Sequence, residues 1–387
     1  SQRIRRKYHI EKLQEDLPVE INVFDILYYN GKTLLDEPFK KRTALIKKMP
    51  FEKCAINEHV FILRNNSRIT PELLGYIMQS KVAQEQIGLE ITGSAQPGLS
   101  SKFVDTVFVA LLPLSEQRTI AAYLDHQTAK IDALITKKER LLELLAEQRA
   151  ALISQAVTKG LNPNVEMKDS SVAWLGQVPE HWEVTRIKHL LQGGFVNGIF
   201  KKKEQFGSGV KLVNVTDIYR RDFQIDVENL DRVEADLNEL QTYEVLPDDI
   251  FFVRSSLKLD GVGVSAYLKQ LPEPIVFECH LIRVRPRQNK ILSQYLINYL
   301  NSSLLRQRIV SLSETTTMTT IAQPKISPLS ILVPPINEQR KIIIYIEQQT
   351  KRLDELSAKV ETAIERLHEY RAALISSAVT GKIQVKE

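Results

Sequence analysis

The sequence predicts an α+β fold, in which mixed α/β domains are connected by two long helices that form an antiparallel coiled coil. Three observations lead there. Residues 116–161 align without a gap to residues 338–383 at a constant offset of 222, and half of the aligned positions are identical. Unrelated helices share composition but not register, so this is an internal duplication. Both copies repeat apolar residues every seven positions, as paired helices do. Ahead of both copies lie short apolar runs punctuated by Gly, Asp and Ser, which read as strands and turns.

Taken in order, residues 1–50 form a segment of their own. A basic opening with Arg3, Arg5, Arg6 and Lys7 leads to an apolar strand at residues 23–28, an Asn30-Gly31 turn and a Lys/Arg-rich helix through Lys48. Residues 51–113 read as strand (59–64), helix (71–86, capped by Thr70), polar loop (93–101) and strand. Residues 114–161 form the first long helix, announced by Pro113-Leu114-Ser115 before an acidic first turn. Its seam carries Leu124, Ile131, Leu134, Leu145 and Leu152. A linker at 162–173 precedes a fuller domain at 174–335, with strands near 210–215, 249–254, 262–268 and 275–284, a helix at 291–309 and a polar loop at 314–320. Residues 336–387 hold the second helix and a tail, with Ile346, Leu353, Leu356, Leu367 and Leu374 on the matching seam. At ~1.5 Å per residue, some 34 seam-bearing residues make a rod of about 50 Å. Neither helix can bury such a stripe alone, so the two bury it against each other.

Composition narrows the function. The chain is 43% hydrophobic and 26% charged, ordinary for a soluble globular protein, and no run approaches the length of a membrane span. These features predict a cytoplasmic protein without a membrane partner. Cys54 and Cys279 lack partners at metal spacing and read as reduced thiols, so no metal site is expected. Of the net charge of +5, the first fifty residues carry +4, so any nucleic-acid binding by the body must use local patches. No Ser/His/Asp or Cys/His set and no Gly-rich phosphate loop is present, and His280 reads as a partly buried strand histidine.

The motifs Trp174-Leu175-Gly176-Gln177-Val178-Pro179-Glu180-His181-Trp182, Val253-Arg254-Ser255-Ser256, Pro-Pro-x-x-Glu-Gln-Arg before a helix, and Arg-Ala-Ala-Leu-Ile-Ser near each helix end occur in order, and the Pro-x-x-Glu-Gln-Arg opening and the Arg-Ala-Ala-Leu-Ile-Ser end occur twice. Residues 51–387 thereby resemble the specificity subunit of a type I restriction-modification system. The resemblance implies two target-recognition domains held apart by two antiparallel helices. It also implies a subunit without chemistry of its own that places two methyltransferase subunits and motor-nuclease subunits on double-stranded DNA. No cofactor is expected on this chain, because S-adenosylmethionine and ATP would bind the partner subunits. The first recognition domain (51–113) reads as truncated. Residues 1–50, around Val23-Phe24-Asp25-Ile26-Leu27, resemble an internal fragment of the adenylation domain of archaeal-type ATP-dependent DNA ligases, which implies a foreign or chimeric segment with Phe24 as an adenine-stacking residue.

Candidate residues follow. Lys201, Lys202, Lys203, Ser255, Ser256 and Lys258 lie in basic, turn-rich stretches and are expected to bind DNA; Arg220, Arg221, Arg254, Arg283, Arg285 and Arg287 add charge nearby. Glu116, Gln117, Arg118 and their counterparts Glu338, Gln339 and Arg340 keep identity beyond what a seam requires, and are expected to bind the methyltransferase partners, as are the Arg-Ala-Ala-Leu helix ends. Two other readings compete. One is an AMP-transferring ligase-type enzyme, suggested by Phe24-Asp25 and Lys258-Leu259-Asp260-Gly261; the other is a structural coiled-coil adaptor.

Overall fold

The computed structural model describes residues 65–92, 98–315 and 317–385, together with Leu63 and a two-residue ladder pairing Tyr28–Tyr29 with Lys32–Thr33. Arg3, Arg5, Arg6, Lys7, Phe24, the helix through Lys48, Cys54 and nearly all of the strand at 59–64 lie outside the described residues. The chain divides into two compact units, residues 1–142 with 358–387, and residues 143–357.

Each unit takes part of both long helices, α3 (Leu114–Lys159, 46 residues) and α8 (Ile336–Val379, 44 residues). The Ala-, Gln-, Glu- and Lys-rich flanks of the seam are strong helix formers and sustain this length. In the first unit, Arg371 of α8 donates from Nε to Asp132 Oδ1 of α3 at 2.8 Å. In the second, Arg149 Nε of α3 lies 3.6 Å from Asp354 Oδ1 of α8. Adding 222 to Asp132 and Arg149 gives Asp354 and Arg371, so one ion pair is built twice. In both units the segments run antiparallel.

The seam is turned by one residue from the expected register. Leu124, Ile131, Leu145, Ile346 and Leu374 are buried, and Leu152, Leu353 and Leu367 are partly so. Leu134 and Leu356, however, remain 48% and 43% exposed, while Thr128, Ile135 and Thr350 are buried. The buried spacing is therefore i, i+4, not i, i+3. The cause is a second neighbour: Leu73 and Ile77 of the first unit share a core with Leu124, Ile131 and Ile135, so the buried face is broader than a two-helix seam.

In the first unit, the helix expected at 71–86 is two helices, α1 (Pro71–Gln79) and α2 (Lys81–Leu89), broken at Ser80, whose side chain accepts the Ala83 N–H. The same break occurs at Ser302 in the second unit, between α5 (Ser293–Leu300) and α6 (Ser303–Leu312), where Ser302 accepts the Leu305 N–H. A serine that offers its hydroxyl to the next turn's amides starts a new helix.

The second unit is built on sheets. β1 (Met167–Asp169), within the expected linker, pairs with β2 (Gln177–Pro179), and β3 (Glu183–Arg186) pairs with β14 (Ser330–Val333). A four-stranded antiparallel sheet has the order β9 (Ser265–Tyr267), β7 (Ile250–Val253), β11 (Leu281–Pro286), β4 (Leu191–Asn197). A three-stranded sheet joins β6 (Asp231–Val233), β5 (Phe206–Val213) and β10 (Ile275–Phe277). The short helix α4 (Leu237–Thr242) follows β6. The loop expected at 314–320 contains a hairpin, β12 (Glu314–Thr315) and β13 (Thr319–Thr320); β13 also pairs with β8 (Ser255–Ser256). Strand β7 is buried on both faces, which explains its unbroken apolar run Ile-Phe-Phe-Val. Ile250 and Phe252 join a core with Trp182, Tyr295 and Tyr299, while Phe251 and Val253 join another with Val213 and Phe277.

Candidate nucleic-acid interface

The identity shared by the helix openings has an internal cause. Gln117 is fully buried; its Nε2 donates to the carbonyls of Arg68 and Leu112, each at 2.8 Å, and its Oε1 accepts the Thr70 N–H at 2.8 Å. Gln339 repeats all three bonds, with the carbonyls of Lys290 and Pro334 at 3.1 and 2.8 Å and the Leu292 N–H at 2.9 Å. Every partner is displaced by 222. Gln117 and Gln339 are therefore not partner-facing, because their amides are spent seating the preceding loop on the helix. Glu338 is engaged as well, with Oε2 2.7 Å from His181 Nε2. Glu116, Arg118 and Arg340 remain exposed.

The helix ends behave likewise. The Ser303 N–H donates to Ser154 Oγ, and the Lys81 N–H donates to Ser376 Oγ, both at 2.9 Å. Ser376 is Ser154 plus 222, so each Leu-Ile-Ser end receives the N-terminus of the second short helix of a pair.

The expected DNA-binding residues separate in the same way. Lys201 is a correction: its ammonium is bonded to both carboxylate oxygens of Glu239 in α4, at 2.8 and 2.7 Å, and its side chain is nearly buried. Lys202 and Lys203 are exposed beside the exposed ring of Phe200. Ser255 and Ser256 are also corrections, buried in β8 with Ser256 Oγ accepting the Lys258 N–H at 3.1 Å. Lys258 itself is exposed. Behind its loop, Arg306 donates to the carbonyls of Val262 and Asp260, and burial pushes this guanidinium down to about 10. The Lys258-Leu259-Asp260-Gly261 stretch is thus a braced surface loop.

Arg283 and Arg285 belong to the interior network. Asp249 is fully buried and receives Arg285 Nε and Nη2 at 2.7 and 2.9 Å, with Arg283 Nη1 at 3.6 Å. The bond to Asp249 raises the Arg285 pKa, whereas burial lowers that of Arg283. A buried carboxylate needs such partners, and the pairing withholds these cations from a ligand.

Sequence reading missed the place where three strand ends meet. Asn197 ends β4, Arg254 follows β7, and His280 precedes β11. The Arg254 N–H donates to the His280 carbonyl at 2.7 Å, and the Ile321 N–H to the Arg254 carbonyl at 2.9 Å. Gln323, opening α7 (Gln323–Ile326), donates from Nε2 to Asn197 Oδ1 at 2.9 Å. His280 is exposed, not a partly buried strand residue. Asn197 and Gln323 lie 126 positions apart, and no periodicity links them. Among the described residues, no helix is long and apolar enough to cross a membrane, and no group of three or more His, Cys, Asp or Glu gathers to hold a metal.

Residues 179–366 match the family described as the type I restriction modification DNA specificity domain, and residues 1–73 match the ATP dependent DNA ligase domain. The type I restriction enzyme StySPI specificity subunit of Salmonella potsdam is 25% identical over 338 residues, covering 87% of this chain and 70% of its own length. A DNA ligase of Nanoarchaeum equitans is 51% identical over 53 residues, 14% of this chain and 9% of that protein. Among solved structures, one describing complex assembly and conformational transition of the type I R-M system shares this fold with a TM-score of 0.63, at 17% identity and covering 83% of this chain and 74% of the other. With its duplicated helices and second domain, the chain is similar to the specificity subunits of type I restriction enzymes, and its front carries a DNA-ligase-like stretch.

Proposed function

We propose that this protein is a non-catalytic, sequence-specific DNA-recognition subunit of a cytoplasmic type I restriction-modification complex. Its second unit reads double-stranded DNA, while Glu116, Arg118 and Arg340, exposed near the starts of the two helices, contact two methyltransferase subunits, to which motor-nuclease subunits add. One observation carries this reading: a domain is seated on each helix pair by the same glutamine and serine bonds, so the scaffold offers partners two equivalent surfaces. Lys202, Lys203 and Lys258 supply phosphate contacts, which position a protein on DNA without specifying sequence. S-adenosylmethionine and ATP act on the partner subunits.

Selection from a randomised duplex pool by the full chain tests the reading. The expected product is one short half-site, read by residues 174–335, with residues 1–113 adding at most salt-sensitive affinity. Uniform, purely salt-dependent binding would instead favour a structural adaptor. Covalent AMP on the protein after incubation with labelled ATP, lost on Lys258→Ala, would favour a ligase-type activity.

A further inference from the structure

The sheet end where Asn197, Arg254, His280 and Gln323 meet has the chemistry of a base-reading surface. Its backbone is fixed: besides the bonds through Arg254, the Gly198 N–H donates to the Leu281 carbonyl at 3.2 Å. A Cβ on Gly198 would fall 2.1 Å from the Glu278 carbonyl oxygen, so only glycine lets the chain cross there and carry Asn197 to the edge. Its charged and imidazole side chains are uncommitted. Lys201, Lys211, Arg283, Arg285 and Arg306 all bond inward. Among the described residues, by contrast, no side-chain hydrogen bond or ion pair engages Arg254 or His280.

We propose that this edge reads base edges in the major groove, with the Asn197–Gln323 amide pair recognising adenine and Arg254 supplying a charged donor beside it. The Gln323 Nε2 to Asn197 Oδ1 bond locks the two amides together and leaves Gln323 Oε1 to accept and Asn197 Nδ2 to donate. Adenine presents the complement, an N6 donor beside an N7 acceptor. Lysines flank the edge on both sides: Lys202 and Lys203 follow Asn197 past the Ile199–Glu278 bridge, and Lys258 follows Arg254 past β8. Phosphate contacts outside and base contacts inside are the division of labour such interfaces use. The assignment rests on the DNA-recognition reading above.

The test is selection from a randomised duplex pool by the full chain and by Asn197→Ala/Gln323→Ala. The expected result is the parent motif with an A·T position lost, corresponding to discrimination reduced roughly 5- to 150-fold there, with non-specific affinity, salt slope and melting temperature unchanged. Gln323→Glu should shift that position from adenine toward cytosine, whose N4 donates to a carboxylate. A parent that selects no motif overturns the DNA-recognition reading itself. A parent motif retained in full by a folded double variant, or unmoved by Gln323→Glu, overturns the assignment of these residues.

Discussion

The two seats differ in what they hold. Both glutamines make the same three bonds, yet the first unit presents Leu73 and Ile77 where the second, 222 positions on, presents Tyr295 and Tyr299. Tyr295 OH donates to the carbonyls of Val157 and Leu332, each at 3.1 Å, and Tyr299 OH donates to that of Ser330 at 3.3 Å. Burial holds both phenols well above their usual range. The second domain is thus tied to α3 by the Tyr295 hydroxyl as well as by the glutamine, and Tyr299 braces β14 inside the domain, whereas Leu73 and Ile77 offer packing alone. The scaffold bonds are common to both units, while the tyrosine that reaches α3 is placed differently: Tyr295 meets the Val157 carbonyl in the second unit, and Tyr76 donates to Asp125 Oδ1 at 2.8 Å in the first.

The strongest way to break this comparison is to remove a glutamine. Gln339→Leu leaves two carbonyls and one N–H unpaired in a buried site and should cost about 3 kcal/mol in urea unfolding. Gln117→Leu should cost a similar amount in the first unit. If either variant unfolds like the parent, the seat is not a stabilising element. Next is the seam. Leu145→Asp places a charge at a buried position and should lower stability by several kcal/mol, while Leu134→Asp and Leu356→Asp, at exposed positions, should change it by less than about 0.5 kcal/mol. Equal losses at all three would restore the unshifted register. The smallest expected effect separates the domains: Tyr295→Phe should cost about 1–2 kcal/mol through its two orphaned carbonyls, with no counterpart at Leu73. A neutral Tyr295→Phe would show that this hydroxyl adds nothing to the packing at its site, as at Leu73.

Much of this was legible in the chain. The duplication and the antiparallel pairing rest on pattern, and patterns of seven or of 222 survive in a one-dimensional string. What the string concealed is how polar groups are spent. Gln117 and Gln339 look like surface residues because glutamine usually is one, and only the arrival of three backbone groups at 2.8–3.1 Å makes them interior. Lys201 looks identical to Lys202 until Glu239, 38 residues on, claims it. The Leu134 register failed because a heptad assumes one neighbour, and these helices have two. Asn197 and Gln323 carried no local signal, since the strand ends that bring them together are brought into line only by sheet pairing.

The glutamine and serine contacts have a consequence for how such a chain can change. Gln117 and Gln339 bond carbonyls and amides of the domains, and Ser154 and Ser376 each accept from a backbone amide, with the Ser303 hydroxyl also meeting Ser154 at 2.8 Å. A grip on main-chain atoms is blind to side-chain identity. Mutations in the gripped segments that preserve their path leave the joint intact, so a domain can drift, or be exchanged for another with the same entry and exit loops, without any compensating change in the helices.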